Sequence, residues 1–497
     1  MGIRTKTELV AAFTGIAAAA VTALVANYTG TELIPATVIS LVVGLLAAFV
    51  VLGVVGRNKK GSGDLLSVHE VFPTTGLPMY TYQSRKDQEE AVTTYRDHGK
   101  GLLSVFGPTK AGKSVLVKKL MAEGVFVRGD VDSAEALWTK AITELAAYTV
   151  RSQGTSQSTT VSVGVASKLG PREANVGSKY DHTAMKGSST GKSADDDQFL
   201  VIQERLLETK RILVIDDFHF MPRSEQRKVM AALKGLIDRG GRAVVITATH
   251  RAHLVSSLVP NMGGRFEHVE VPRWSHDDLK RIAAVGFAKL GVEDPEDLAT
   301  ELATNSFGSP QLMQRLCRQL CLKNGYEQQQ PAGSQLGKPA GSWDDFYTAG
   351  LTRMDAEVRW VQKLKRGPQE RRARMQYQTM EHGPLDGYEI LRIALRNLLP
   401  SMDLTKEDIH SEVAAIVGQK PLAPRPSETV SKLKYLNSIA LQPLDQPSKS
   451  DEDYAAPSDE DELDVDPVLE YEESGPTSTL RIVDPLYAFA LRWWRKD

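Results

Sequence analysis

A glycine-rich loop between an apolar run and a helix constrains this chain more than any other feature of its sequence. Residues 101–114 read GLLSVFGPTKAGKS, an apolar run that closes on the pattern G-x-x-x-x-G-K-S. The run predicts a buried strand over 102–106, and residues 115–123 predict a helix whose N-terminal N–H groups point at the loop. Gly107 and Gly112 allow the backbone to turn its N–H groups toward an anion. The segment therefore predicts a site for the phosphates of ATP.

The side chains of the loop have separate predicted tasks. Lys113 can reach the β- and γ-phosphates, and the Ser114 hydroxyl can bind Mg²⁺. A fortuitous glycine-rich turn is the alternative, and it is disfavoured because strand, loop and helix occur together. The predicted nucleotide-binding set in this segment is Gly107, Pro108, Thr109, Lys110, Ala111, Gly112, Lys113, Ser114 and Val115.

A second apolar run ends in two acidic residues. Residues 210–217 read KRILVIDD, which predicts a strand that ends at Asp216 and Asp217. In proteins with a phosphate loop of this kind, we expect this strand beside the loop strand, with its terminal Asp holding Mg²⁺ through water. Asp216 is therefore the predicted metal residue, and Asp217 is predicted to orient or deprotonate the attacking water. A helix N-cap is the alternative for such an Asp pair.

The N-terminal segment has the composition of membrane-spanning helices. Residues 9–26 and 33–56 carry no charge, and basic residues precede the first stretch and follow the second. The second stretch is long enough to cross about 30 Å of hydrocarbon as a helix. The charges predict a hairpin with both ends in the cytoplasm, and the lipid bilayer as a partner. A cleaved signal peptide over 1–26 is the alternative.

The remainder of the chain divides by composition and by alternating strand and helix patterns. The alternation predicts a doubly wound parallel sheet. The two cysteines, Cys317 and Cys321, are predicted to be reduced and to face a core. The predicted divisions are a hairpin at 1–56, a linker at 57–78, a core at 79–272 with a Gly/Ser/Thr-rich insertion at 152–193, a helical subdomain at 273–327, a linker at 328–344, and a C-terminal domain at 345–497 with an acidic insert at 445–473.

Two further residues are candidates for the site. Thr249 follows the apolar strand 243–247, so it falls at the carboxyl edge of the sheet, where it can sense the γ-phosphate or the attacking water. Helix capping is nearly as well supported. Arg265 precedes the strand 266–271 and can contact nucleotide in a neighbouring subunit. A purely structural arginine is equally well supported.

Taken together, residues 80–325 resemble the AAA+-related STAND and origin-recognition-type ATPases. The matching elements are the loop at 107–114, Ile-Asp-Asp at 215–217, Thr-Ala-Thr-His-Arg at 247–251 and Gly-Ser-Pro at 308–310. The resemblance implies an α/β P-loop NTPase sheet with a helical subdomain and a C-terminal winged helix, here behind N-terminal transmembrane helices. It also implies that the Gly-x-Pro region contacts nucleotide, which makes Pro310 and Arg315 candidate sensors.

The favoured function is a membrane-anchored ATP-binding switch that acts through self-association or a protein partner. Many AAA+ motors have Glu where this chain has Asp217, and the shorter acid favours slow hydrolysis. The alternative is a membrane-tethered, DNA-binding ATPase of the origin-recognition kind. Nucleic acid is the less favoured partner because residues 451–473 carry twelve acids without Lys or Arg, and the formal net charge is −2.

Overall fold

A computed structural model describes most of the chain after residue 64. The described residues are 65–153, 194–248, 258, 264–294, 296–369, 373–418, 424–445, 467–473 and 478–495. Those from Leu66 onward belong to one compact unit. Almost all of the predicted insertion at 152–193, and most of the acidic insert at 445–473, lie outside the described residues.

The secondary structure alternates in the first half and becomes mainly helical in the second. The strands are β1 Gly101–Gly107, β2 Val125–Arg128, β3 Leu213–Asp216, β4 Arg242–Ala248, β5 Phe266–Glu270, β6 Val292–Glu293, β7 Ser334–Gln335, β8 Gln376–Thr379, β9 Gly383–Asp386, β10 Asp403–Thr405, β11 Leu469–Glu472 and β12 Thr479–Ile482. The helices are α1 Val68–Val71, α2 Lys86–His98, α3 Lys113–Leu120, α4 Ala134–Gln153, α5 Ala194–Thr209, α6 Arg223–Asp238, α7 His276–Lys289, α8 Leu298–Thr304, α9 Pro310–Lys323, α10 Trp343–Gly350, α11 Asp355–Arg366, α12 Gly387–Leu398, α13 Lys406–Val417, α14 Pro426–Ala440 and α15 Pro485–Trp493.

Five of the described strands form a parallel sheet in the order β2-β3-β4-β1-β5. The predicted parallel α/β sheet is therefore confirmed. The prediction that β3 lies directly beside β1 is wrong, because β4 lies between them and pairs with both. All five strands run the same way, so their carboxyl ends meet at one edge.

Apolar residues on both faces of the sheet explain its position between two helical layers. In β1, Leu102 packs on one side, and Leu103 and Val105 pack on the other. Helices α2 and α3 cover the side of Leu103, whereas α4, α5 and α6 cover the side of Leu102. Because side chains alternate along a strand, a strand buried on both faces reads as a continuous apolar run.

Helices α7 to α15 build a second core that is continuous from the helical segment to the C-terminal segment. The predicted linker at 328–344 contributes to it, because β7 pairs with β6 and Leu336 is buried. Cys317 and Cys321 are buried in this core and free, as predicted. Burial raises the pKa of the Cys321 thiol to about 12, so the thiol stays protonated. The domain boundaries stay predictions.

The C-terminal segment combines helices with a small antiparallel sheet. Strand β10 follows α12, and β11 and β12 follow α13 and α14; the three strands pair in the order β10-β12-β11. The hairpin β8–β9 leads into α12, which Asp386 caps through hydrogen bonds from the N–H groups of Tyr388 and Glu389. The last helix, α15, is almost entirely buried against α11 and α12.

The predicted membrane location needs correction. In the part of the chain that the structure describes, no helix combines the length and the apolar composition needed to cross a bilayer. The segments 9–26 and 33–56, on which the prediction rested, lie outside the described residues. We therefore withdraw the two-span membrane location.

Strand β1 supplies a test of the fold. Leu103 is fully buried in β1, so Leu103→Ala removes a side chain whose space its rigid neighbours cannot refill. We expect a loss of about 2 to 5 kcal/mol in the free energy of unfolding, measured by urea denaturation. Leu200→Ala is the matched control, because Leu200 is 36% exposed on α5, and the expected change is about 0.5 kcal/mol. Equal losses for the two variants would contradict the burial assigned to β1.

Candidate functional site

Two glycines give the loop after β1 its shape. Gly107 has φ of +151°, and a Cβ atom there would lie 2.1 Å from the carbonyl oxygen of Val271. Gly112 has φ of +95° and caps α3, which begins at Lys113. Side chains are rarely tolerated in either conformation. The first N–H groups of α3 therefore point toward the centre of the loop. N–H groups in this arrangement can bind phosphate.

The predicted phosphate and metal residues come together at this loop. Lys113 Nζ donates to the carbonyl oxygens of Gly107 and Pro108, each at 2.8 Å. The Ser114 hydroxyl lies 2.7 Å from Asp216 Oδ1, and Asp216 is only 5% exposed. Ser114 and Asp216 meet although the strands before them are not neighbours.

The oxygen atoms of Ser114 and Asp216 fit Mg²⁺, which prefers one or two carboxylates together with phosphate oxygens and water. Within the described ranges there is no cluster of three or more His, Cys, Asp or Glu that would hold a metal alone. Lys118 also belongs here, because its Nζ lies 3.4 Å from Asp216 Oδ2. The sequence analysis missed Lys118, although its position four residues after Ser114 places both on one face of a helix.

Asp217 lies beside the metal residue in a left-handed backbone conformation, with φ of +58°. Its Oδ2 lies 3.3 Å from Arg128 NH2, and its side chain lines the same cavity as the phosphate loop. This position fits the predicted contact with the attacking water. The catalytic role itself stays a prediction.

A cavity of about 710 Å³ opens over the loop. It is bounded by parts of the chain that are far apart in sequence: residues 73–85, the loop residues 109–116, the end of β3, the start of α9, and Pro467 and Asp484 from the C-terminal segment. Pro310 lines the cavity, in agreement with its predicted contact. The volume is in the range of small-molecule sites.

Trp274 connects the phosphate loop to the helical segment. Its indole Nε1–H donates to the carbonyl oxygen of Ala111 at 2.8 Å, and its backbone N–H donates to Gly308 O at 3.2 Å. The guanidinium of Arg85 lies over the indole, 4.2 Å from the ring centroid. Burial lowers the pKa of Arg85 to about 10, so the guanidinium is still cationic at neutral pH. Neither Trp274 nor Arg85 was among the predicted site residues.

The C-terminal segment contacts the loop directly. Lys110 Nζ and Asp484 Oδ2 lie 2.6 Å apart, and both side chains are largely buried. The other oxygen of Asp484 accepts the N–H of Leu486 at 2.7 Å and so caps α15. Nearby, Arg273 NH2 donates to Ile482 O at 2.7 Å. The loop lysine therefore binds a carboxylate that the last helix holds in place.

Three predicted residues do not join this site. Arg315 does not line the cavity and donates to Gly350 O at 2.6 Å; its assignment to nucleotide binding stays a prediction. Arg265 pairs with Asp238 and precedes β5, at the amino edge of the sheet, opposite the loop. Its contact with a neighbouring subunit stays a prediction. Thr249 lies outside the described residues.

One family model matches a part of the sequence. The sequence profile of a family described as "Bacterial TniB protein" matches residues 190–276, a minor part of the chain. No curated protein matches the sequence.

Three solved structures illustrate the similarity in fold. The Walker-type ATPase of Pyrococcus abyssi has 12% identity and a TM-score of 0.47, over 85% of this chain and 99% of that one. The ORC2 protein of Aeropyrum pernix in its ADP form has 10% identity and a TM-score of 0.42, over 86% and 98%. The STAND protein with a tetratricopeptide repeat sensor from Pyrococcus horikoshii has 11% identity and a TM-score of 0.31, over 85% and 44%. Similarity at this level carries no argument about activity.

The contact between Ser114 and Asp216 gives a metal-dependent prediction. Asp216→Asn removes the negative charge that favours a hydrated Mg²⁺ beside Ser114. We expect the gain in ATP affinity on adding Mg²⁺ to fall about 10- to 100-fold, measured by titration calorimetry with and without the metal. Asp238→Asn, at the opposite edge of the sheet, should leave this gain unchanged. An unchanged gain in Asp216→Asn would remove Asp216 from the metal site.

Proposed function

We propose that this protein is an ATP-binding P-loop ATPase that hydrolyses ATP slowly and transmits its nucleotide state to a C-terminal module. One observation carries the proposal: the cavity over the phosphate loop includes Lys113, Ser114 and Asp216 together with Asp484 of the C-terminal segment. Phosphate binding and the position of that segment are therefore expected to depend on each other.

The phosphate groups would bind between the open N-terminus of α3 and the lysines of the loop. Lys113 is already held over the loop by the carbonyls of Gly107 and Pro108, so little reordering is needed for its ammonium to meet a phosphate. When bound, Mg²⁺ would neutralise developing charge on the phosphate oxygens. Ser114 and Asp216 would hold the metal, and Asp217 would orient the attacking water; because Asp is shorter than the Glu of many AAA+ motors, turnover would be slow.

The switch would operate through Lys110 and Asp484. A triphosphate brings negative charge to the loop, where it attracts Lys110 and repels the carboxylate of Asp484. Because the pair is largely buried, solvent screens this competition only weakly. By linkage, a nucleotide that weakens the Lys110–Asp484 contact is itself bound less tightly while the contact persists. ATP would therefore favour release of the C-terminal segment.

The C-terminal module is proposed to be a winged helix. The order α12, β10, α13, α14, β11, β12, with three strands paired as β10-β12-β11, supports this assignment. The junction between β12 and α15 carries Asp484, so movement of the module would be coupled to the phosphate loop. Self-association or binding of a protein partner would then use the surface that the C-terminal module exposes.

Nucleic-acid binding receives no support from the described face of α14, the third helix of the module. Lys434 pairs with Glu473 at 2.8 Å, and burial lowers the pKa of Lys432. The pairing of Lys434 with Glu473 and the partial burial of Lys432 make both lysines less available to a phosphate backbone. The DNA-binding alternative therefore stays the weaker one.

Nucleotide binding and turnover by the full-length chain test the proposed active site. We expect Lys113→Ala to weaken ATP binding, because it removes the cation nearest the phosphates. Asp217→Ala should keep ATP binding and lose turnover by about 100-fold or more, measured as phosphate release. Glu208→Ala is the control, since Glu208 is an exposed acid that pairs with Arg205 on α5 and does not line the cavity, and its turnover should match the wild type. Normal turnover in Asp217→Ala would refute the proposed role.

The Lys110–Asp484 contact gives a separate prediction about the switch. Asp484→Asn keeps the size of the side chain but removes the charge that competes with phosphate, so ATP should bind at least about 5-fold more tightly. Asp403→Asn is the matched control, because Asp403 pairs with Arg481 in the same small sheet and does not line the cavity. Its ATP affinity should stay at the wild-type value. Unchanged or weaker ATP binding in Asp484→Asn would contradict the coupling.

A further inference from the structure

The cavity over the phosphate loop has a second group of polar side chains, separate from the phosphate residues. Gln311 and Gln314 on α9 line it together with Thr74, Thr81 and the apolar Ile282. Gln311 Nε2 donates to Thr74 O at 3.0 Å, which ties α9 to the segment before α2. Since the triphosphate is assigned to the loop, these residues are among those available to surround the base of a bound nucleotide.

Hydrogen bonds fix which atoms of the Gln314 amide are used. The Thr81 hydroxyl lies 3.1 Å from Val71 O, and a carbonyl can only accept, so Thr81 donates its proton there. The Thr81 oxygen can then only accept from Gln314, whose Nε2 lies 2.6 Å away. Although amide oxygen and nitrogen are hard to distinguish by shape, this chain of donors leaves one orientation for Gln314.

The amide oxygen of Gln314 is left without a partner. Gln314 is only 4% exposed, and its Oε1 has no hydrogen-bond partner among the described residues. A buried acceptor without a donor is unfavourable, so such an atom on a residue that lines a ligand cavity points to a ligand that supplies an N–H group. The same residue is held rigidly by Thr81, which makes it a selective acceptor.

We propose that Gln314 determines base specificity by accepting a hydrogen bond from the 6-amino group of adenine. Adenine presents an N–H donor at position 6, whereas guanine and hypoxanthine present an acceptor oxygen there. Two facing acceptors repel each other, and the buried oxygen of Gln314 would stay unpaired. The inference rests on the proposed nucleotide site and extends it to a preference for adenine nucleotides. Gln314 is a specificity-determining residue in this account and takes no part in phosphate chemistry.

Binding of ADP and inosine diphosphate to the full-length protein tests the inference, because the two share ribose and phosphates and differ only at the amino or oxo group of position 6 and in the proton on N1. By titration calorimetry, we expect the wild type to bind ADP about 10- to 100-fold more tightly than inosine diphosphate. Gln314→Met, which keeps the length of the side chain without its polar atoms, should bring this ratio close to one. Its affinity for inosine diphosphate should change only a few-fold.

Gln319→Met is the matched control on the same helix. Gln319 Nε2 donates to Phe346 O at 2.8 Å, and Gln319 does not line the cavity, so its ratio should equal that of the wild type. A wild-type ratio near one, or an unchanged ratio in Gln314→Met, would overturn the role of Gln314 while leaving the phosphate site intact. Failure of the wild type to bind either nucleotide would overturn both the site and the role of Gln314.

Discussion

The phosphate loop is held by hydrogen bonds and ion pairs from three distant parts of the chain. Asp216 contacts Ser114 at its end, Trp274 donates to the carbonyl of Ala111, and Asp484 binds Lys110. The proposed function assigns Mg²⁺ to Ser114 and Asp216 and phosphate to Lys110. In that proposal, a bound nucleotide would replace the Asp216–Ser114 and Lys110–Asp484 contacts, so its effect would reach the sheet and the C-terminal segment together.

The parallel sheet makes this meeting point because every strand ends at the same edge. Gly107 ends β1 and Asp216 ends β3, so both residues lie there although β4 separates their strands. A parallel sheet buried on both faces is a rigid support, and its apolar side chains serve packing. The polar groups are concentrated where the strands stop, in the loops and at the start of α3. This separation explains how one chain keeps a dry core and a charged site.

Helix α9 shows which features of a helix the sequence predicts and which it does not. Its start at Gly308-Ser309-Pro310 was correctly recognised, because Ser309 caps the helix and proline suits its first turn. The guanidinium of Arg315 donates to Gly350 O, so the structure adds nothing to its predicted contact with nucleotide. Gln314, which precedes it by about 100° of helical rotation, lines the cavity instead. Periodicity gives relative positions on a helix, but it does not give the direction in which a given face points.

The sequence by itself determined the local features: the loop with its glycines, the apolar strands, the acidic pair at 216–217 and the alternation that makes a parallel sheet. These depend on backbone conformation and on neighbours within a few residues, so a short pattern specifies them. Only the tertiary structure decided the contacts of Trp274 with Ala111 and of Asp484 with Lys110, which join residues 163 and 374 positions apart. Such contacts depend on how whole helices and sheets pack, and no spacing in the sequence encodes that packing.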